Sequence, residues 1–169
     1  RRRNKDVIRP AKVERCGKRE LPVLSMTMHD GIVLQADCLK KAAASRDQST
    51  YKVVKPGQLV VGSPIDEGVP CVQSYDYEGI MILAYNVWDI DASSVEPQYL
   101  ELALHSPQSM AFYKNKMRST TARRRSLAAA TLIELNIPVP SREKQIEVID
   151  ALCGIRDETA NLNRMVEFL

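Results

Sequence analysis

The sequence predicts an α+β chain: a curled, mostly antiparallel sheet with small helices, followed by a long C-terminal helix that forms a coiled coil. Three observations carry this. Short β-branched runs such as Tyr51-Lys52-Val53-Val54 and Leu59-Val60-Val61-Gly62 are separated by Gly, Pro or polar residues, not by long helical stretches. A proline-bracketed corner, Ile137-Pro138-Val139-Pro140, ends this irregular part. Beyond the corner, the apolar residues keep helical spacing to Leu169.

The chain has 169 residues, enough for one domain with a buried core. Hydrophobic residues at 44% and charged residues at 27% set it apart from disordered chains. A net charge of +3 does not mark a nucleic-acid binder; the local clusters Arg1-Arg2-Arg3 and Arg123-Arg124-Arg125 say more. No apolar run approaches the roughly 20 residues of a membrane span. The basic N-terminus has no apolar stretch behind it of the kind a secretion signal needs. The first residue is Arg, not Met, which leaves room for a segment upstream. Cys16, Cys38, Cys71 and Cys153, with His29 and His105, show no metal-ligand spacing, so reduced thiols in a cytoplasmic protein are expected, with no metal and no cofactor.

Taken in order, Arg1 to Glu20 is basic and weakly patterned, either a flexible arm or a ragged strand. Leu21 to Met28 alternates in its second half, His29-Asp30-Gly31 is a turn, and Ile32 to Gln35 is a second strand, which together suggest a hairpin. Lys40 to Thr50 is polar and Ala-rich, a short helix or a loop. Tyr51 to Val54 and Leu59 to Gly62 are strands flanking a Lys55-Pro56-Gly57-Gln58 turn, and Ser63 to Pro70 is a loop. Val72 to Tyr77, Gly79 to Leu83 and Tyr85 to Ile90 carry strand composition. Pro97 opens a helix through His105; Ser106-Pro107 restarts a second, with Met110, Phe112, Tyr113 and Met117 on its apolar side. Leu127 to Leu135 reads as one more short helix.

The terminal helix has good start signals. Ser141 suits an N-cap, and Glu143 places negative charge in the first turn, although Lys144 stands where a capping box wants Glu or Gln. Val148, Leu152, Ile155, Thr159, Leu162, Val166 and Leu169 are spaced alternately four and three apart. That is a heptad seam, with Leu152, Thr159 and Val166 at a and the others at d. The first two turns are expected to pack on the chain's own domain. The remainder is expected to face a partner helix, with Thr159 weakening the seam and helping to set register.

Catalytic patterns are absent. Gly57, Gly62 and Gly68 are too scattered for a phosphate cradle, and there is no nucleophile elbow. Asp66-Glu67 and Asp89 with Asp91 are acid pairs of the kind usually solvated in loops, and Trp88 suits a core better than a stacking platform. The richest stretch is Lys114 to Ser126. Guanidinium groups clamp phosphates or read guanine bidentately, and Ser119, Thr120, Thr121 and Ser126 add hydroxyls suited to DNA backbones. A solvated loop whose arginines pair with acids accounts for the same residues, so composition leaves both readings open.

The run Tyr51 to Gly62, then Ala84-Tyr85-Asn86-Val87, Pro97-Gln98-Tyr99-Leu100 and Ser106-Pro107 resembles a target recognition domain of type I restriction–modification specificity subunits. The likeness continues through Thr121 to Leu127 and ends in Leu135-Asn136-Ile137-Pro138-Val139-Pro140, Glu143-Lys144-Gln145 and the long helix. It covers roughly Leu21 to the C-terminus. Lys144 interrupts the Glu-Gln pair common in the family, and Arg1 to Glu20 does not match well. The resemblance implies a subunit that gives DNA specificity to separate methyltransferase and motor-nuclease subunits. Such a subunit usually has a pair of recognition domains, whose long helices pack together and space two half-sites. With one domain and one helix, this chain would be half of a longer subunit or a half-length form that dimerises.

The expected organisation is therefore a DNA-binding domain over 1–140 and a spacer or dimerisation helix over 141–169. The expected function is sequence-specific binding of double-stranded DNA without catalysis. Arg123, Arg124 and Arg125 are the leading contacts, Thr121, Ser119 and Lys116 support them, and His29 is a further candidate on the hairpin turn. The competing expectations are an interaction module that docks through its terminal helix without reading DNA, and a small enzyme with a pocket around Asp66 and Glu67.

Overall fold

A computed structural model describes residues 2–27, 30–38, 47–62, 70–117 and 129–167, with side chains left aside at 2, 3, 38, 117, 156, 157 and 160–167. Its centre is an antiparallel sheet of β2 (Ile8–Pro10), β9 (Asn86–Ile90), β6 (Leu59–Val61) and β7 (Cys71–Val72), in that order. Successive strand residues point to opposite faces. On β6, Leu59 and Val61 enter one core and Val60 the other; on β9, Trp88 and Val87 divide the same way. The central strand β6 is buried on both faces, which is why Leu59-Val60-Val61 is continuously apolar and does not alternate.

The first core is closed by α2 (Pro97–Leu104), α3 (Pro107–Met117) and α4 (Ala129–Glu134), which supply Leu100, Leu104, Tyr113 and Leu132, all at most 1% exposed. The second lies under the hairpin of β3 (Leu24–Thr27) and β4 (Gly31–Leu34) and the pair of β5 (Lys52–Val54) with β8 (Gly79–Met81). Gly79 has a packing reason: a Cβ there would stand 2.5 Å from Leu24 Cγ, a buried branch point that cannot swing aside. Gly57 has a conformational one. Its φ of 77° follows Pro56 in a turn closed by the Gln58 N–H on the Lys55 carbonyl at 3.2 Å. The architecture is thus α+β, with antiparallel sheets and a few helices, as expected.

Several boundaries differ from the sequence reading. The strand expected over 72–77 stops at Val72 because the Gln73 side chain takes over the backbone. Its Oε1 accepts from the Tyr75 N–H at 2.6 Å, and its Nε2 donates to the Tyr77 carbonyl at 2.7 Å. Gln35 begins a four-residue helix, α1 (Gln35–Cys38), and does not end the hairpin strand. Residues 39–46 and 63–69 lie outside the described residues, with the Lys40 to Thr50 reading largely among them and Asp66 and Glu67 with the second stretch.

The N-terminal segment is integral to the fold. β1 (Arg2–Arg3) pairs antiparallel with β10 (Asn136–Ile137), and β2 pairs with β9 along the sheet edge, where Pro10 is tolerated because no further strand needs its missing N–H. Between them, a 3₁₀ turn over Asn4–Asp6 buries Asn4 completely. Asn4 donates its N–H to the Leu135 carbonyl at 2.9 Å and its Nδ2 to the Leu132 carbonyl at 2.8 Å. Val7 and Ile8 then enter the first core, while Lys5, Asp6 and Arg9 stay exposed. The basic charges hid a buried frame, and the ragged-strand reading of Arg1 to Glu20 is nearer than the flexible arm. Among the described residues, no helix is long and apolar enough to cross a membrane. Ile8→Ala should lower stability by about 2–4 kcal/mol. Arg9→Ala, which removes only an exposed 3.6 Å pair with Asp89, should cost less than about 0.5 kcal/mol, both read from urea unfolding midpoints.

Candidate nucleic-acid interface

The described elements on either side of the cationic stretch are α3 and α4. Met117 ends α3 and Ala129 begins α4, so residues 118–128 are a connection between two helices anchored by Tyr113 and Leu132 in the first core. Lys116 lies in the last turn of α3, its ammonium 2.9 Å from the Glu134 carboxylate and 5.7 Å from the centre of the Phe112 ring. That pair ties the end of α3 to the end of α4 across the surface. Ser119, Thr121, Arg123, Arg124 and Arg125 lie outside the described residues, as does His29 between β3 and β4. The hairpin bearing His29 is closed by Thr27, whose hydroxyl accepts from the Asp30 N–H at 3.0 Å and donates to the Gly31 carbonyl at 3.2 Å.

The long helix α5 (Arg142–Glu167) begins where the proline corner ends. The Ser141 carbonyl accepts from the Gln145 N–H at 3.0 Å, as an N-cap residue's should. The Glu143 backbone N–H and the Ser141 hydroxyl hold the Glu143 carboxyl below the usual carboxylate range. Burial then declines along one stripe of the helix. Gln145 is 1% exposed, Val148 and Ile149 are half-buried against the first core, Leu152 is 37% exposed and Ile155 57%. The helix therefore leaves the domain between Ile149 and Ile155. Thr159 is exposed, and its hydroxyl donates to the Ile155 carbonyl one turn back at 2.8 Å. The side chains of Leu162 and Val166, and all of Leu169, lie outside the described residues.

The root of α5 is joined to the loop between β9 and α2 by Gln145, which stands in the family-like first turn, and by Arg142, which the sequence does not single out. Gln145 Oε1 accepts from the Glu96 N–H at 2.8 Å, and its Nε2 donates to the carbonyls of Pro140 at 2.9 Å and Ser94 at 3.3 Å. Arg142 pairs with the Glu96 carboxylate and donates to the Ala92 carbonyl at 2.9 Å. Tyr99 of α2 donates its hydroxyl to the Pro138 carbonyl at 3.2 Å. The signal was present: residues 145, 148, 149 and 152 form the inward stripe of the helix, and its first position is a polar Gln. Asp91 does not act as half of an acid pair with Asp89; it accepts from the Ser93 and Ser94 hydroxyls at 2.5 and 2.6 Å and shapes this same loop.

A groove of about 230 Å³ lies beside the root, lined by Asp30 to Ile32 of the hairpin, Gln98, Glu101 and Leu102 of α2, and Ile149, Leu152 and Cys153 of α5. The Glu101 carboxylate accepts from the Val72 N–H at 2.8 Å. Next to Val72, burial and, second, the Glu101 charge push the Cys71 thiol up to about 12. Among the described residues, no group of three or more His, Cys, Asp or Glu is placed to hold a metal ion.

No protein-family model matches the chain, and no curated protein matches it. Its likeness is to solved structures. It superposes on the HsdS subunit from Thermoanaerobacter tengcongensis with a TM-score of 0.65 at 16% identity, over 96% of this chain and 43% of that one. It superposes on a chain from a structural study of type I R-M system assembly and conformational transition with a TM-score of 0.58 at 18% identity, over 97% of this chain and 40% of that one. The fold implied by the resemblance to type I specificity subunits is therefore the fold found. The chain spans less than half the length of either structure.

The Cys71 environment makes a pH prediction. A thiol in the unfolded chain loses its proton near 9, whereas the folded one holds it to about 12, so the folded state binds more protons in that window. The Cys71 contribution to stability should be fully present below pH 9 and be lost as pH rises towards 12. Cys71→Ala should flatten that alkaline slope in pH-dependent urea unfolding; an unchanged slope would assign the alkaline loss to other groups.

Proposed function

We propose that the chain is a DNA-reading half of a type I restriction–modification specificity subunit. Residues 1–140 form the target recognition domain and 141–169 the spacer helix. The observation that carries the reading is the superposition on the HsdS subunit over 96% of this chain. Within it, the chain reads one half-site of double-stranded DNA and performs no chemistry, leaving methylation and cleavage to a methyltransferase subunit and a motor-nuclease subunit. Arg123, Arg124 and Arg125, with Ser119, Thr121, Lys116 and His29, supply phosphate and base-edge contacts.

The seam from Val148 through Leu152, Ile155, Thr159, Leu162, Val166 and Leu169 pairs with a second such helix, either in the other half of a longer subunit or in a second copy. The exposure of Leu152 and Ile155 supports this, since large apolar residues repeated along one helical stripe are better buried than wet. The same exposure also fits an interaction module that docks through α5 without reading sequence, so DNA binding and helix pairing need separate tests.

Arg124→Ala should weaken DNA binding and lower the slope of log affinity against log salt by about 1, with an unchanged circular dichroism spectrum. The same affinity at every salt concentration would remove Arg124 from the interface. Leu162→Glu should abolish helix pairing and reduce the hydrodynamic size measured by sedimentation; an unchanged size would show that the seam joins no second chain.

A further inference from the structure

We propose that the clasp between the first turn of α5 and the loop preceding α2 fixes the angle at which the helix leaves the domain, and so the length of DNA between half-sites. Gln145 is its buried pin and Arg142 its outer strap. The inference rests on the DNA-reading function proposed above and adds two positioning residues that touch no DNA.

The geometry argues for a joint set by direction as well as by packing. Val148 and Ile149 rest on the core only partly buried, and apolar contact alone lets a helix roll or tilt. Gln145 is different: at 1% exposure it holds the Glu96 N–H and the Ser94 carbonyl on one side and the Pro140 carbonyl on the other. Those three backbone groups belong to the loop before α2 and to the proline corner, so the amide is satisfied at one orientation of helix against loop. Arg142 reinforces that orientation from the surface, gripping Glu96 and the Ala92 carbonyl. Asp91 stiffens the loop from within by accepting from the hydroxyls of Ser93 and Ser94.

Leverage makes this angle matter. A helix of 26 residues is about 39 Å long at about 1.5 Å per residue. A tilt of about 10° at the root moves its far end by about 7 Å, or about two base-pair steps of about 3.4 Å. Each base pair also turns the next half-site by about 35° around the duplex. A loosened clasp would therefore change which spacer is accepted while leaving the half-site reading surface intact.

The test uses the full chain with its methyltransferase partner, and a set of duplexes carrying the motif enriched from a random pool, with spacers lengthened or shortened by single base pairs. Wild type should prefer one spacer over its neighbours by about tenfold. Gln145→Ala, and Arg142→Ala as the milder surface variant that keeps the buried amide, should enrich the same motif with that preference reduced severalfold. A second readout is independent of DNA. Nitroxides on Cys153 and on Lys18→Cys, in a Cys38→Ser background diluted with unlabelled chain, should give a narrow distance distribution that broadens in both variants. Undiminished spacer preference with an unbroadened distribution overturns the proposal. So does affinity lost equally at every spacer, which marks a purely structural role. If wild type enriches no motif, the spacer claim falls with the DNA reading. The distance distribution then still decides whether the clasp sets the helix angle.

Discussion

The burial of β6, and of Val87 and Trp88 beside it, on both faces of the sheet is the constraint on which the structure depends. Once Leu59, Val61 and Trp88 face one core and Val60 and Val87 the other, each face must be covered. Helices α2, α3 and α4 cover the first; the β3–β4 hairpin and the β5–β8 pair cover the second. The N-terminal residues complete the first core through Asn4, Val7 and Ile8, which links the start of the chain to α4 and to the proline corner before α5. Beyond this double-cored body extends the part of α5 from Leu152 onward, whose described side chains are exposed. The proposed pairing surface begins there.

The root of α5 translates that body into a direction. Its stripe passes from a buried amide at Gln145, through half-buried Val148 and Ile149, to exposed Leu152 and Ile155 within three turns. A helix packed for stability alone would keep its apolar stripe covered. This one is held at one end and leaves Leu152 and Ile155 exposed on the continuation of that stripe.

The parts of the fold legible in the sequence were those with strong local chemistry. The Pro56-Gly57 turn, the helix openings at Pro97 and Pro107, and the proline corner all followed from residues whose backbone preferences are narrow. The start of the long helix after the corner was equally plain. The illegible parts were set by distant partners. Nothing local in Arg2-Arg3-Asn4 indicates that it pairs with Asn136-Ile137 across most of the chain. Nothing in Val72 to Tyr77 announces that the Gln73 amide ends the strand. In the candidate site, the arginine run was visible as composition, and Gln145 only as part of a family-like first turn; what Gln145 and Arg142 hold was hidden, because most of their partners lie some fifty residues earlier.

The most direct measurement is selection from a random duplex pool by the chain purified with its methyltransferase partner. The account expects enrichment of a short motif. A symmetric dimer would show it as an inverted repeat at fixed spacing, and half of a longer subunit as a single copy. A complex that assembles through α5 yet enriches no sequence would contradict DNA reading and leave the helix as the functional surface.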